Sequence, residues 1–181
     1  MSKIIKVVII GPESTGKSTL CKQLAQHFDT LWCPEYARNF LAKNGTGYTY
    51  SQLLTIAQGQ LAQEDVFVAK MNTKQNTEPR PLFIDTDMQV MRVWCEFVFG
   101  KCHAYILQQI QQRKYNLYLL CYTDLPWVRD EMREYPDENI RRQLFTIYHN
   151  TLSRQSISFI TISGNYDQRL KQAIHAVEKL L

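Results

Sequence analysis

Long apolar runs are missing from this chain. Near its start the longest, Val7–Ile10, is far too short for the apolar core of a secretion signal or for a membrane span. Export and membrane insertion are therefore not expected, and a cytoplasmic location is. The five cysteines (Cys21, Cys33, Cys95, Cys102 and Cys121) are odd in number and contain no C-x-x-C pair. That argues against a disulfide framework and against a structural zinc site. The four histidines are scattered, with no H-E-x-x-H. A basic stripe with interleaved aromatics is also lacking. The densest basic stretch, Arg129–Arg142, is interrupted by Asp130, Glu131, Glu134, Asp137 and Glu138, and reads as a solvated helical face rather than a nucleic-acid contact. No internal repeat, low-complexity block or interdomain linker stands out.

What is present is an ordinary globular composition. The 181 residues are 45% hydrophobic and 21% charged, which suits one domain over 1–181 that buries a continuous core. The formal net charge of +4 is compatible with a ligand carrying several phosphates, and with many other partners. The chain is compatible with a homo-oligomer, and nothing in the sequence selects a stoichiometry.

Short β-rich runs alternate with longer helical segments, the pattern of an α/β domain with a parallel sheet. Strands are expected at Lys3–Ile10, Leu82–Ile84, Leu117–Tyr122 and Ile157–Ile162, with a short one near Thr30–Cys33. Helices are expected at Lys17–Phe28, Glu35–Lys43 and Ser51–Met71, the last carrying an apolar stripe of Leu54, Ala57, Leu61, Val68 and Met71. Between them, Asn72–Pro81 is polar, holds two prolines and reads as a surface loop. The predicted fold is a three-layer P-loop architecture: a five-stranded parallel sheet flanked by helices, with a helical lid at about 124–142. Ligands should gather at the carboxyl ends of its strands.

Gly11-Pro12-Glu13-Ser14-Thr15-Gly16-Lys17-Ser18 matches G-x-x-x-x-G-K-[ST] without a mismatch, and Thr19 follows. A β-branched strand leads into the motif and an amphipathic helix leaves it, as the motif requires. Gly11 and Gly16 allow backbone conformations that aim successive N–H groups inward, and the helix from Lys17 adds the positive end of its dipole. Lys17 should reach the β- and γ-phosphates of ATP, and Ser18 should ligate Mg²⁺.

Asp85 and Asp87 end the Leu82–Ile84 strand, where a carboxylate would hold the metal. Residue spacing does not separate them, and Asp87 could equally cap a helix over Met88–Phe99. Glu35 in Pro34-Glu35-Tyr36-Ala37-Arg38 is the candidate base for a hydroxyl acceptor, or an ordinary first-turn glutamate. Tyr36 could stack on a ring, and Arg38 could pair with Glu35 or with a phosphate. Arg129 and Arg133 would share one face of a helix and could close over the γ-phosphate, with Arg142 as a third candidate. Gln58, Gln60 and Gln63 on the long helix could read a pyrimidine edge or simply be solvated.

With these motifs in place the chain resembles, over essentially its whole length, the ribosylnicotinamide kinase domain of bacterial NadR-type proteins. The resemblance rests on GPESTGKS, EYAR at Glu35–Arg38, FIDTD at Phe83–Asp87, Trp127-Val128 with Asp130 and Arg133, and Tyr166 with Arg169 after the last strand. It implies phosphorylation of the 5′-hydroxyl of nicotinamide riboside by ATP and Mg²⁺. It also implies Glu35 as a substrate or base residue, Asp85 or Asp87 as a metal or ribose contact, and Arg133 as a lid arginine. The Ser163–Tyr166 loop, with Asn165 and Tyr166, then belongs to the adenine side. Tyr36, Trp94 and Trp127 are candidate ring contacts, and Asp130 lies with them on the substrate side. Some members fuse this kinase to a DNA-binding regulator and an adenylyltransferase. With 181 residues there is room for neither, so the chain is expected neither to make NAD alone nor to repress transcription. Two other readings stand beside this one: a kinase for another nucleoside, and an ATP-binding regulatory module without acceptor-dependent turnover.

Overall fold

A computed structural model describes residues 3–73, 78–155 and 157–181. Five parallel strands lie in the order β2-β3-β1-β4-β5. They are β1 (Ile4–Ile10), β2 (Trp32–Cys33), β3 (Arg80–Asp85), β4 (Leu117–Cys121) and β5 (Phe159–Ile162). Around them pack α1 (Lys17–His27), α2 (Tyr36–Asn44), α3 (Tyr50–Asn72), α4 (Met88–Phe99), α5 (Ala104–Gln112), α6 (Glu138–Arg154) and α7 (Tyr166–Glu178). Among the described residues, no helix is long and apolar enough to cross a membrane.

The central strand explains the layering. Successive side chains of a strand point to opposite faces, and a parallel strand covered on both faces reads as an uninterrupted apolar run. In β1, Ile5, Val7 and Ile9 pack with Leu20, Cys21 and Leu24 of α1 and with Ala173 and Val177 of α7. Val8 and Ile10 face the other way, toward Val90 and Val93 of α4 and Leu144, Tyr148 and Leu152 of α6. A further apolar cluster ties α2, α3, α4 and α5 together through Ala37, Leu53, Ile56, Met91 and Ile106.

Two local features depart from the sequence reading. Positions 74–77 of the expected Asn72–Pro81 loop lie outside the described residues, but Arg80 and Pro81 belong to β3. Pro81 is tolerated there because Arg80 N–H bonds back to Lys3 O and Phe83 N–H bonds to Leu31 O, so the nitrogen of Pro81 points toward β2. The β2 strand pairs only at Phe83 and Ile84, so no ladder bond is lost.

The buried stripe of α3 also differs from the expected one. It runs through Leu53, Ile56, Ala57, Gln60, Leu61, Glu64 and Met71, with Leu54 and Val68 only partly covered. Two polar residues therefore sit on the inner face, where an apolar-only pattern overlooks them. Glu64 is fully buried and gathers Lys6 Nζ at 2.8 Å, Tyr115 Oη at 2.8 Å and Arg113 Nη1 at 3.4 Å.

Cutting one partner out of such a network leaves buried charge uncompensated. Glu64→Ala should therefore lower unfolding stability by about 3 kcal/mol. Tyr115→Phe, which removes a single hydrogen bond, should cost only about 1 kcal/mol. Urea unfolding of the two variants checks both the size and the order.

Candidate active site

The loop Gly11–Ser18 leaves the carboxyl end of β1 and runs into α1. Gly11 has φ of +141°, and a Cβ there would lie 2.6 Å from the carbonyl oxygen of Cys121 in β4. Only glycine meets both conditions, since the backbone of β4 occupies the space. The outward carbonyls of the loop are satisfied from within the protein. Pro12 O accepts Thr15 Oγ1 at 2.8 Å and Lys17 Nζ at 2.9 Å, and Thr15 O accepts Arg169 Nη1 at 3.1 Å. Among the described residues, no protein acceptor meets the main-chain N–H groups of residues 13–17. Together with the start of α1, this is a nest of donors built for anionic oxygen.

Asp85 and Asp87, alike in the sequence, separate here. Asp85 ends β3, is 1% exposed, and accepts Ser18 Oγ at 2.5 Å through Oδ2. Its Oδ1 is buried and meets no hydrogen-bond donor among the described residues. Burial holds the Asp85 carboxyl above its usual range, with Lys17, Ser18 and Arg38 pulling the other way. Asp87, by contrast, caps α4: Oδ1 accepts Gln89 N at 3.0 Å and Val90 N at 3.4 Å, and Oδ2 accepts Tyr118 Oη at 2.7 Å. It is buried away from the cavity walls, and burial pushes its carboxyl up to about 7. A substrate contact from Asp87 is not what this geometry provides. Thr86 between them was passed over in the sequence. It has φ of +77°, an uncommon strain for a β-branched residue, and lines the cavity with a buried hydroxyl unpartnered among the described residues.

Glu35 stands at the N-cap position of α2 but makes no capping bond with its side chain. The cap is supplied instead by Gln60, whose Oε1 accepts Tyr36 N at 2.8 Å while its Nε2 reaches Asp85 O at 3.4 Å. Gln63 Nε2 holds Pro34 O at 2.5 Å. Gln60 and Gln63 are thus neither solvated nor base readers. They fix the turn that presents Glu35, whereas Gln58 is exposed. Freed of capping, the Glu35 carboxylate lines the cavity beside Lys17 and Asp85. Burial, and then the Asp85 charge, raise its pKa, with Lys17 and Arg38 opposing. Tyr36 turns away from the cavity. Its ring packs over Gly59 of α3, where a Cβ would come within 2.2 Å, so a ring-stacking role is not supported.

The segment 122–137 contains no helix, contrary to the expected helical lid. Asp130 competes for the backbone, its Oδ1 accepting Met132 N at 3.0 Å, and Pro136 keeps Tyr135 out of helical geometry. Arg129 and Arg133 consequently share no helix face. Arg133 Nη1 reaches Ser14 Oγ at 3.3 Å and lines the cavity, whereas Arg129 is exposed and lies off its walls. Arg142 pairs with Glu138 at 2.6 Å on the solvent side of α6. Asp130 bonds Arg38 at 3.0 Å, joining the 122–137 segment to α2. Trp127 stands off the cavity walls, with the guanidinium groups of Arg133 and Arg141 at 5.8 and 5.5 Å from its ring. Asn165 caps α7 in a capping box with Gln168, and the Tyr166 ring stands beside Gly16.

The cavity encloses about 1200 Å³ of empty space, part of it open to solvent. Residues 11–19 line it, together with an aromatic chamber wall of Tyr48, Trp94, Phe97, Tyr135 and Tyr148, and Glu35, Arg38 and Thr86 line the same cavity. A phosphate chain on the loop and an aromatic-walled ligand would share this cavity with the Glu35 carboxylate. Ser18 Oγ and the Asp85 carboxylate form an all-oxygen pair suited to a hard divalent cation that keeps water and phosphate ligands, and the unpartnered Asp85 Oδ1 fits that use. Among the described residues, no cluster of three or more His, Cys, Asp or Glu side chains could form a self-sufficient metal cage.

Comparison with known proteins bears on the family and the fold. A family profile described as an AAA domain matches residues 6–169. The trifunctional NAD biosynthesis/regulator protein NadR of Escherichia coli (strain K12) is 28% identical over 180 residues, which is 97% of this chain and 42% of the relative. This chain thus spans about two fifths of that relative's length. Two crystal structures of NadR share the fold. The complex with NR has a TM-score of 0.79 at 24% identity, covering 98% of this chain and 49% of that one. The complex with NAD and AMP-PNP has a TM-score of 0.76 at 23% identity, covering 98% and 49%.

Arg141 escaped the sequence reading, which weighed Arg142 instead. It is 5% exposed, on the inner face of α6 with Leu144 and Tyr148, and its Nε and Nη1 have no acceptor among the described residues. An apolar side chain of similar length removes that desolvated charge. Arg141→Met should therefore melt at or above the wild-type temperature, with a gain of about 1 kcal/mol. A loss of several degrees in a calorimetric scan would instead mean that stacking on Trp127 outweighs the desolvation.

Proposed function

Since this chain belongs to the AAA domain family, with a phosphate-binding loop at the end of its first strand, we propose that it transfers the γ-phosphoryl group of ATP to the 5′-hydroxyl of nicotinamide riboside, with Mg²⁺. The observation that carries the proposal is that one cavity is lined by the Gly11–Thr19 cradle, by aromatic walls and by the uncapped Glu35 carboxylate. A hydrolase needs no second chamber. A kinase needs one, with a carboxylate within reach of the acceptor hydroxyl.

In this reading the nest of main-chain amides holds the phosphate chain, and Lys17 moves from Pro12 O to the β- and γ-phosphates. Ser18 and Asp85 would hold Mg²⁺, which supplies charge neutralisation for the phosphates when bound. Glu35 accepts the proton of the 5′-hydroxyl as its oxygen bonds to the γ-phosphorus. The bond from that phosphorus to the bridging oxygen breaks, and ADP leaves. Arg133, already touching Ser14, is placed to neutralise charge on the transferring group. The aromatic walls suit a pyridinium ring, whose positive charge is attracted to ring faces. Likeness to the NadR structure in complex with NR supports this acceptor, and the AMP-PNP complex supports ATP as donor.

Two experiments test the proposal. ADP release should depend on nicotinamide riboside and not on thymidine or cytidine; release indifferent to any acceptor would reduce the protein to an ATPase or a binding module. Glu35→Gln should lower kcat on the order of 10²-fold while the Kd for MgATP, read by calorimetry, stays within about twofold. An unchanged kcat removes Glu35 from the role of base.

A further inference from the structure

Tyr48, ahead of α3, and Trp94, on α4, meet edge to face with ring centroids 4.8 Å apart. Trp94 Nε1 donates to Tyr48 Oη at 2.6 Å, and Tyr48 Oη donates to Glu134 Oε2 at 2.8 Å. The direction of this chain is forced. An indole N–H can only donate, so the single phenolic proton is left for the carboxylate. The backbone of the same residue is held from the opposite side: Glu13, inside the phosphate loop, accepts Glu134 N at 2.9 Å and Tyr135 N at 3.1 Å. Glu134 is thus fixed by its main chain to the phosphate cradle and by its side chain to the aromatic wall, and it lines the cavity.

The other carboxylates of the cavity have the phosphate loop or its lysine beside them. Glu13 is spent on two main-chain N–H groups, and Glu35 and Asp85 lie beside Lys17 and Arg38. Among the described residues, Glu134 alone of these is hydrogen-bonded to an aromatic side chain of the wall, and its Oε1 has no protein donor. We infer that Glu134, aimed by Tyr48 and Trp94, is the specificity residue that selects an acceptor with a positively charged ring. The inference rests on the acceptor proposed above and adds to it the source of discrimination: a fixed negative charge at the chamber wall, beyond the attraction of the ring faces. A charge of this exposure, partly screened by water, is worth about a factor of five in selectivity.

The test uses two acceptors of the same shape and different charge: nicotinamide riboside, and its dihydro form, whose ring is neutral and whose ribose and carboxamide are retained. The readout is the ratio of their kcat/KM values. Glu134→Gln should lower the preference for the charged ring about fivefold, through KM for the charged acceptor, with KM for ATP unchanged. Tyr48→Phe, which keeps the ring and removes the aiming hydrogen bond, should lower it by less. Glu134→Asp, which keeps the charge, should retain more of the preference than Glu134→Gln. An unchanged ratio in Glu134→Gln, with turnover intact, overturns this inference alone. Absence of turnover with both rings in the wild-type protein overturns the acceptor assignment, and this inference with it.

Discussion

One guanidinium holds the phosphate loop in shape. Arg169 is 2% exposed and sits behind the cradle, with Nε on Gly164 O at 2.7 Å, Nη1 on Thr15 O at 3.1 Å and Nη2 on Tyr122 O at 3.0 Å, and with Asp124 as its charge partner. Three separate stretches of chain converge on that plane: the loop after β1, the end of β4 and the turn before α7. A loop that offers its N–H groups to a ligand must dispose of its carbonyls on the protein side, because buried peptide oxygens without donors are expensive. Arg169 and the Thr15 hydroxyl do this. The rigid fork of arginine suits the task better than lysine, since the three acceptors lie in fixed directions.

The same division of labour recurs around the cavity. Gln60 supplies the cap of α2, so that Glu35 keeps its carboxylate free. Asp87 caps α4, so that Asp85, two residues earlier, can face Ser18. Glu13 and Ser14, in the phosphate loop, hold the 122–137 segment through bonds to Val128, Arg133, Glu134 and Tyr135. In each case one polar residue meets a structural demand and releases its neighbour for chemistry. The neighbours left over are those whose carboxyls are pushed up by burial or whose polar atoms lack a partner among the described residues: Glu35, Asp85 and Thr86. Local discontent of this kind is expected where a ligand is to be bound, since the surrounding fold must over-determine the strained positions.

Much was legible from residue order alone, because the governing physics is local. The alternation of β-branched runs with helical stretches set out the five parallel strands, and the glycine spacing of residues 11–18 announced the phosphate loop, since backbone freedom and helix dipole act within a single turn. Three-dimensional contact decided the rest. Asp85 and Asp87 differ only in which long-range partner each finds, Ser18 for one and Tyr118 for the other. Gln60 and Glu64 look like solvated positions until α3 is packed, and Tyr36 looks like a ligand contact until Gly59 admits its ring. The segment expected to form a helical lid adopts no helix over 122–137, because Asp130 and Pro136 outweigh its propensity. Arg141 and Arg142 are neighbours that face the interior and the solvent, a distinction of 100° on a helix whose phase only packing sets. Periodicity and motif spacing therefore determined the scaffold and its phosphate end. Which carboxylate, which arginine and which aromatic wall complete the cavity depended on partners many residues away, and sequence order holds no distance between them.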